Sequence, residues 1–173
     1  LHCFTTSVSP EEIKMMDELD EKYMREALKE ASAARDEDEI PIGAVVVCRG
    51  RIIAKGHNMT ERLHDPTAHA EMIAITSATE AMGGKYLNDC TLYVTVEPCP
   101  MCAGAIVQAR IPRVVIGCMN PKAGCAGSVL DMLHEKGFNH QVETEIGLLG
   151  EDCSQMLKDF FRELREEGKR NKQ

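Results

Sequence analysis

Two short groups of residues in this 173-residue chain have the types and spacing needed for zinc chemistry. One is His69-Ala70-Glu71, and the other is a Pro-Cys-Pro-Met-Cys segment that contains Cys99 and Cys102. Both fall where a helix is predicted to begin. Cysteines three positions apart on one helical turn can direct both sulfur atoms at one point. A helix N-terminus also lowers the pKa of a thiol toward the metal-binding thiolate. One imidazole nitrogen and two thiolates suit Zn²⁺.

Three protein ligands would leave the fourth tetrahedral position of zinc open for water, as in catalytic rather than structural sites. Zinc lowers the pKa of its bound water to about 7, which makes hydroxide available at neutral pH. Glu71 lies two residues after His69, where its carboxylate could take the proton of that water and pass it to a departing nitrogen. The sequence therefore favours a zinc hydrolase with one zinc ion per chain.

Other interpretations of these residues stay open at the level of sequence. A Cys-x-x-Cys pair alone is also typical of redox centres. His57 and His64 compete with His69 as the nitrogen ligand, although neither has a Glu two residues on. A non-catalytic zinc module would need a fourth protein ligand and would not need Glu71. The other six cysteines are expected to pack in the core, with Cys125 the least certain because it lies in a glycine-rich loop.

The elements that must position these residues follow from periodicity. Ser9, Pro10 and Glu12 form a capping-box signature for the start of the first helix. Apolar spacing continues this helix to about residue 34, and the acidic run at 36–39 is expected to be a solvated loop. Further on, the pattern predicts strands over 42–48 and 51–57, a helix over 68–82, a strand over 91–96, a helix over 98–110, a strand over 114–118, a loop over 120–127, a short helix over 128–134, a strand over 141–146 and a helix over 151–167.

This order predicts an α/β domain of three layers, α/β/α, with helices on both faces of a five-stranded mixed sheet. The composition agrees, because 43% of the residues are apolar and 28% are charged, as in soluble globular proteins. No run of 18 apolar residues is present and no secretory signal is visible, so we expect a cytoplasmic protein without a membrane partner. Eight cysteines are too few for a disulfide scaffold, and because no signal peptide is visible we expect a reducing compartment.

The net charge of −8 argues at first against nucleic acid. The acidic excess is local, however, because residues 1–40 carry 12 acidic and five basic side chains. The segment 158–173 carries six basic and four acidic side chains, so a basic patch remains possible there. The chain has no Trp and 4% aromatic residues, which argues against a stacking platform for single strands.

His-x-Glu followed by Pro-Cys-x-x-Cys is the known signature of the zinc-dependent cytidine and adenosine deaminases, and the chain resembles that superfamily. Within it, the sequence is similar to the bacterial tRNA-specific adenosine deaminases. The similarity extends over about residues 23–165 and is carried by the segments 64–71, 91–99, 101–105, 124–128, 138–140 and 159–162. The resemblance implies a cytidine-deaminase-like fold, a homodimer, and conversion of adenosine to inosine at the wobble position of a tRNA anticodon stem-loop.

The same resemblance assigns roles to individual residues. It implies that zinc is bound by His69, Cys99 and Cys102, and that Glu71 shuttles protons. The residues implied to contact substrate are Asn58, which holds the target nucleoside, Ala70, which offers its backbone to the base, Asn120 in the loop 120–124 that lines the nucleotide site, and Phe161, Arg162 and Arg165, which meet flanking nucleotides.

Two points qualify these roles. An amphipathic last helix would ordinarily bury Phe161 in the core and leave Arg162 and Arg165 in solvent. Bacterial members usually have Asp where this chain has Asn120, which bears on substrate selectivity at that loop.

The predicted domain organisation is an N-terminal extension and helix start at 1–20, a deaminase domain at 21–168 and a basic tail at 169–173. An alternative function is deamination of a free base, nucleoside or nucleotide, of the guanine, cytosine or cytidine type. That function would not need a last helix that contacts RNA. The segment 159–162 and the basic tail favour tRNA.

Overall fold

A computed structural model describes residues 8–170 of the chain, and in that range it contains five helices and five strands. The elements in chain order are α1 (Pro10–Asp36), β1 (Gly43–Cys48), β2 (Arg51–His57), α2 (Thr60–Leu63), α3 (Ala70–Met82), β3 (Cys90–Val96), α4 (Pro100–Gln108), β4 (Arg113–Cys118), β5 (Glu143–Ile146) and α5 (Gly150–Arg170).

The strands form one mixed sheet in the order β2-β1-β3-β4-β5. Strand β1 pairs antiparallel with both β2 and β3, whereas β3, β4 and β5 run parallel to one another. The carboxyl ends of β2, β3, β4 and β5 therefore lie along the same edge of the sheet. The segments that follow β2, β3 and β4 begin with Asn58, Glu97 and Met119, so this edge collects the regions in which the sequence places its functional residues.

Helices cover both faces of the sheet, which confirms the predicted three-layer α/β/α fold. Alternate strand residues such as Val46, Leu92 and Ile116 pack in one apolar cluster with Ala74 of α3 and Ile106 of α4. The residues of opposite orientation pack with α1 and α5 in the second cluster, which contains Tyr23, Met24, Ala27, Val45, Val47, Tyr93, Val115 and Cys153. The two faces therefore have separate cores, with the zinc motifs on the α3 and α4 side.

Helix α1 begins with the predicted capping box, in which Ser9 accepts from the Glu12 amide and Glu12 accepts from the Ser9 amide. The helix comes very close to β1 at Gly43, where an added Cβ would overlap the carbonyl oxygen of Ala27. Only glycine fits at that position. The predicted domain boundaries at residues 20 and 168 fall inside the continuous helices α1 and α5, while residues 1–7 and 171–173 of the predicted extension and tail lie outside the described range.

Three local predictions differ from the structure. The short helix predicted over 128–134 is wrong, since this stretch forms turns and a single β-bridge between Ala126 and Asp131. The backbone amide of Met132 donates to the carbonyl of Cys125 at 3.0 Å, whereas a helix would direct it to the carbonyl of Ser128. The acidic run at 36–39 is exposed only as far as Asp38, because Glu39 is fully buried. The short helix α2 has no counterpart among the predicted elements.

A buried ionic contact fastens the middle of α1 to the sheet. Asp20 is 7% exposed and accepts hydrogen bonds from both terminal nitrogens of Arg113, at 3.0 and 2.6 Å, and from the hydroxyl of Tyr93. Burial alone would raise the pKa of Asp20, but the hydrogen bonds from Arg113 and Tyr93 outweigh burial and hold the pKa below its ordinary value. The carboxylate therefore stabilises the fold as long as it is ionised.

None of the helices between residues 8 and 170 combines the length and the apolar character needed to cross a lipid bilayer.

We expect Asp20→Asn to lower the free energy of unfolding at neutral pH by about 1.5 to 3 kcal/mol, because Arg113 loses a charged acceptor. The folded-state pKa of Asp20 lies below the ordinary value of 3.8, so this stabilisation is complete above that value and is lost as the pH falls through the folded pKa. Urea unfolding at pH 7 and at steps below pH 4 measures the difference. The wild type should approach the variant in acid.

The control for this prediction is Glu18→Gln, which removes an exposed carboxylate from the same helix. It should leave the free energy of unfolding nearly unchanged at neutral pH. A stability difference for Asp20→Asn that stays constant into strong acid would contradict the role given to the carboxylate.

Candidate active site

The structure brings His69, Cys99 and Cys102 together at the carboxyl edge of the sheet. The Nδ1 atom of His69 lies 3.6 Å from the sulfur of Cys99 and 3.6 Å from the sulfur of Cys102. The three ligand atoms are all within 4.8 Å of one another. Within residues 8–170, no other three His, Cys, Asp or Glu side chains form a group of this kind. We call these three residues the His-Cys-Cys group.

Two helix N-termini position this group. His69 is the N-cap of α3 and Cys99 is the N-cap of α4, and both have extended backbone angles. Pro100 follows at the first position of α4, where a missing amide hydrogen costs nothing. Cys102 then lies in the first turn, on the side of the helix that faces His69. The positive ends of two helix dipoles therefore meet at the sulfur atoms and favour negative charge there.

The ionisation of the cysteines agrees with this arrangement. The hydrogen bond from Cys102 lowers the pKa of the Cys99 thiol to about 4 against the effect of burial, and His69 acts in the same direction. The pKa of Cys102 is raised, because its thiol donates to Cys99 and is buried. The hydrogen bond to Cys99 raises the pKa of His69. A cluster that already stabilises one thiolate fits a divalent cation that prefers sulfur and nitrogen, such as Zn²⁺.

Glu71 lies beside the His-Cys-Cys group in the first turn of α3. Its side chain is 4% exposed, and burial raises the pKa of Glu71 to about 7. A carboxyl group with this pKa can take up and release a proton near neutral pH, which ordinary glutamates cannot do. Geometry and pKa both make Glu71 the candidate acid and base of the site.

The competing histidines lie elsewhere. The two ring nitrogens of His57 face Glu30 of α1 at 3.1 Å and Glu37, the C-cap residue of α1, at 3.5 Å. His64 is exposed and ends α2 with a positive φ of 51°. Neither histidine joins the His-Cys-Cys group, and Cys125 is buried in the apolar cluster rather than added as a fourth ligand. Among the described residues, three ligands stand together, as a site with an open coordination position requires.

Asn58 follows the last residue of β2 and is 3% exposed. Its side-chain nitrogen donates to Glu39 at 3.1 Å and to the hydroxyl of Thr60 at 3.2 Å. The next amide, of Met59, donates to the carbonyl of Ala68 at 2.9 Å, which joins this segment to the turn that carries His69. Ala70 is fully buried at the start of α3, against the backbone of β2.

A second buried carboxylate, Glu97, organises the loop that contains Asn120. Glu97 is 2% exposed and accepts from the amides of Asn120 at 2.8 Å, Ala126 at 2.9 Å and Ser128 at 3.0 Å, and from the Ser128 hydroxyl. An added Cβ at Gly124 would overlap a carboxylate oxygen of Glu97, so only glycine fits there. Because Glu97 directly precedes the segment of Cys99, it joins the loop to the candidate metal ligands.

The side chain of Asn120 is partly used within its own turn, since its oxygen accepts from the amide of Lys122 at 3.3 Å. Asp could accept the same bond, so the turn does not require an amide at this position. The nitrogen of the Asn120 amide is the atom by which the residue differs from Asp.

Sequence reasoning did not find Glu39 or Glu97. Glu39 stood at the end of an acidic run, and nothing in the sequence distinguished it from its exposed neighbours. Glu97 carried a weak signal, because it ends an almost wholly apolar strand directly before Pro98 and Cys99. A charged residue at such a position is buried and must find several hydrogen-bond donors.

The last helix separates its two phenylalanines. Phe160 is 7% exposed and takes the place in the core, whereas Phe161 is 41% exposed. Arg162 and Arg165 are exposed, and Arg162 pairs with Asp159 at 2.8 Å. These residues belong to the layer of α1 and α5, on the other face of the sheet from α3 and α4. The expectation that an amphipathic helix would bury Phe161 is therefore wrong, because Phe160 takes the core position; the expectation that Arg162 and Arg165 lie in solvent is confirmed.

The chain is similar to known proteins. A family model of MafB19-like deaminases matches residues 18–165. The chain is 52% identical to the tRNA-specific adenosine deaminase of Bacillus subtilis (strain 168) over 150 residues, which cover 87% of this chain and 93% of that protein. This chain belongs to the family of tRNA-specific adenosine deaminases. The resemblance that the motifs indicated is confirmed.

Two solved structures are also similar to this chain. One, from biochemical and structural studies of A-to-I editing by tRNA:A34 deaminases at the wobble position, matches with a TM-score of 0.76 at 43% identity and covers 79% of this chain and 99% of its own. A guanine deaminase from Nitrosomonas europaea matches with a TM-score of 0.72 at 23% identity and covers 81% of this chain and 83% of its own. At that identity the second likeness shows the fold alone.

We expect the purified deaminase to carry one zinc ion per chain, and Cys102→Ala to lose most of it, because the two remaining ligands cannot hold the ion tightly. Elemental analysis after dialysis measures the zinc content. The matched control is Cys125→Ala, a buried cysteine outside the His-Cys-Cys group, which should keep its zinc. Full zinc occupancy in Cys102→Ala would rule out the assignment.

Proposed function

We propose that this chain is a zinc-dependent hydrolase that converts adenosine to inosine at the wobble position of a tRNA anticodon. The observation that carries the proposal is a His-Cys-Cys group with one buried carboxylate beside it, in a chain that resembles tRNA-specific adenosine deaminases over nearly its whole length. In the reaction, the bond from C6 of the base to its amino nitrogen breaks, a bond from C6 to the oxygen of water forms, and ammonia leaves.

The proposed zinc ligands are His69, Cys99 and Cys102, with one ion per chain. When bound, Zn²⁺ would supply a water of lowered pKa and polarise the site. The protein holds the three ligands on two helix N-termini, so their geometry is set before any ion enters. Three protein ligands keep the fourth position for the reacting water.

Glu71 is the proposed proton shuttle. Glu71 is buried beside the His-Cys-Cys group, where its carboxylate can accept a proton from the attacking water and deliver it to the departing amine. The burial of Glu71 also keeps bulk water away from the carboxylate, so the proton stays within the site.

Three residues are proposed to hold the target nucleoside. Asn58 and Ala70 lie on the two segments beside His69, with the Asn58 side chain and the Ala70 backbone directed to the substrate. Asn120 lies on the loop that Glu97 fastens beside Cys99, where it meets the ribose or its phosphate. A base can enter such a site only after it is flipped out of its stack, which single-stranded anticodon loops permit at low cost.

Helix α5 is proposed to contact the nucleotides that flank the target. Phe161 offers an exposed ring for stacking, and Arg162 and Arg165 offer charge to the phosphates. The acidic excess of residues 1–40 lies mostly on α1, which shares a layer with α5, so the proposed contact rests on the local charges of Arg162 and Arg165. The tRNA anticodon stem-loop is the proposed partner because of the family resemblance, despite the net charge of −8.

We further propose a homodimer in the cytoplasm, as the family resemblance implies. The exposed apolar side chains of Val129 and Leu130, at 53% and 55%, offer surface for a second copy close to the Asn120 loop. The proposed organisation keeps a deaminase domain at 21–168, an N-terminal extension and helix start at 1–20 and a basic tail at 169–173.

A stem-loop assay tests the reaction. We expect turnover of an anticodon stem-loop with adenosine at the wobble position, scored by the mass change from amine to carbonyl, and little turnover of free adenosine, guanine, cytosine or cytidine. Glu71→Gln should keep zinc and RNA binding but lose about 10²- to 10⁴-fold in rate, because it removes the proton shuttle. Faster turnover of a free base than of the stem-loop would contradict the proposed substrate. Near-normal turnover by Glu71→Gln would remove this residue from the mechanism.

A second test concerns the ring of Phe161. Stacking of one base on an aromatic side chain contributes about 1 to 3 kcal/mol, so Phe161→Ala should raise the Kd for the stem-loop about 5- to 150-fold. Phe161→Tyr keeps a stacking surface and should bind normally. Leu164→Ala removes a similarly exposed apolar side chain from α5 and serves as the control. Equal losses in Phe161→Ala and Leu164→Ala would point to general apolar contact instead of stacking.

A further inference from the structure

A fully buried carboxylate lies next to the proposed nucleoside site. Glu39 occupies the turn between α1 and β1 and is 0% exposed. One of its oxygens accepts from the Arg62 amide at 2.8 Å, and the other accepts from the Asn58 side chain at 3.1 Å and the Thr60 hydroxyl at 3.2 Å. Within residues 8–170 no Lys, Arg or His forms an ion pair with it. A buried charge without a counter-ion depends on its hydrogen-bond donors, so these three contacts are what hold Glu39 in place.

The chemistry of the carboxylate dictates which way the Asn58 amide points. An ionised carboxylate only accepts hydrogen bonds, whereas an amide has one end that accepts and one end that donates. Asn58 must therefore turn its NH₂ toward Glu39. The same nitrogen also donates to Thr60, so both of its hydrogens are used. The opposite orientation would place the amide oxygen against a carboxylate oxygen, which is repulsive.

The amide oxygen of Asn58 is consequently the atom left for another partner. It accepts no hydrogen bond from the described part of the protein, and no buried side-chain nitrogen or oxygen in that part lacks a partner. The oxygen must therefore be among the few accessible atoms of a side chain that is 3% exposed. Its location is beside the turn of His69, since Met59 bonds to Ala68 and Gly56 packs against the backbone of Ala70.

We propose that Glu39 is a positioning residue that fixes the Asn58 amide so that it presents a hydrogen-bond acceptor, and no donor, to the substrate. Given the proposed function, the group recognised is an O–H or N–H donor of the target nucleoside, such as a ribose hydroxyl. Glu39 touches neither substrate nor the reacting atoms and acts only through Asn58. Without the carboxylate, the amide can turn over and present its NH₂ instead, which reverses the polarity that the substrate meets.

An exchange of the two polar groups tests this idea. In Glu39→Gln, the introduced NH₂ faces the NH₂ of Asn58, so one amide must turn. In Asn58→Asp, two buried carboxylates face each other and repel. In the double variant, the amide introduced at position 39 donates to the carboxylate introduced at position 58 and still accepts from Arg62. The carboxylate at position 58 then presents an oxygen to the substrate. The double variant therefore restores the acceptor with the charge of the pair unchanged.

We expect each single variant to lose about 10- to 100-fold in kcat/KM for the anticodon stem-loop. The double variant should recover to within about 5-fold of wild type, although it carries two substitutions. Zinc content and Tm are measured for all four proteins. The proposal requires single variants that are folded and zinc-loaded but slow. If the losses of kcat/KM in the two single variants multiply in the double variant, the proposal is overturned. A fully active Glu39→Gln would also overturn it.

The test remains decisive if a single variant does not fold. If Asn58→Asp does not fold, the double variant must still be more active than Glu39→Gln. If neither single variant folds, a folded double variant with less than about a tenth of wild-type activity overturns the proposal. Glu37→Gln is the matched control, because it removes an exposed carboxylate from the same turn and should retain wild-type kcat/KM.

A measurement without substrate separates this proposal from the proposed function. The side-chain amide protons of Asn58, assigned by NMR through their absence in Asn58→Asp, should be protected from hydrogen exchange in wild type and exposed to it in Glu39→Gln. Unprotected amide protons in wild type would overturn the positioning role. Protected protons in a protein that does not deaminate the stem-loop would support the positioning role and overturn only the proposed substrate.

Discussion

The meeting of two helix N-termini at the carboxyl edge of β3 is the constraint on which the site depends. Helices α3 and α4 both begin there, and their positive ends would repel each other if nothing negative lay between them. The thiolate of Cys99 supplies that negative charge. His69 and Cys99 are themselves the N-cap residues of α3 and α4, so the backbone that begins each helix also holds a candidate ligand. The fold thus brings two positive helix ends together, and two thiolates with a cation can occupy the space between them. The carboxylate of Glu71 is buried in the first turn of α3, so it also lies at one of these positive helix ends.

Around this centre, two buried carboxylates replace regular secondary structure as the means of fixing loops. Glu39 gathers donors from the segment after β2, and Glu97 gathers donors from the segment after β4. Each loop therefore has its donors turned inward to a single acceptor. Gly124 allows the second carboxylate to approach so closely. This arrangement gives loops the rigidity that a catalytic site requires without adding a helix or strand.

Most of the framework could be predicted from the sequence, because each element carries its own periodicity and caps. The capping box at Ser9 and the apolar, β-branched runs of β1 and β3 are local signals, and the structure agrees with them. The helix expected at 128–134 is absent because this stretch folds back on the preceding loop, where the amide of Met132 donates to the carbonyl of Cys125. The burial of Glu39 escaped prediction in the same way, because its donors come from a different segment. The motifs around His69 and Cys99 were recognisable because metal ligation demands fixed residue types, whereas a hydrogen-bond acceptor for loops can be any carboxylate.

The long first helix has a consequence for anything attached to the protein. Its contact with the sheet is fastened at Asp20, and the residues between Pro10 and Leu19 are all exposed. A helix advances about 1.5 Å and turns about 100° per residue. The first ten residues of α1 therefore form an arm of about 15 Å with a definite direction from the body of the domain. A label, tag or second domain that continued this helix in place of the capping Ser9 and Pro10 would have its distance and rotation set by the number of residues inserted, so one added residue would turn it by more than a quarter of a circle.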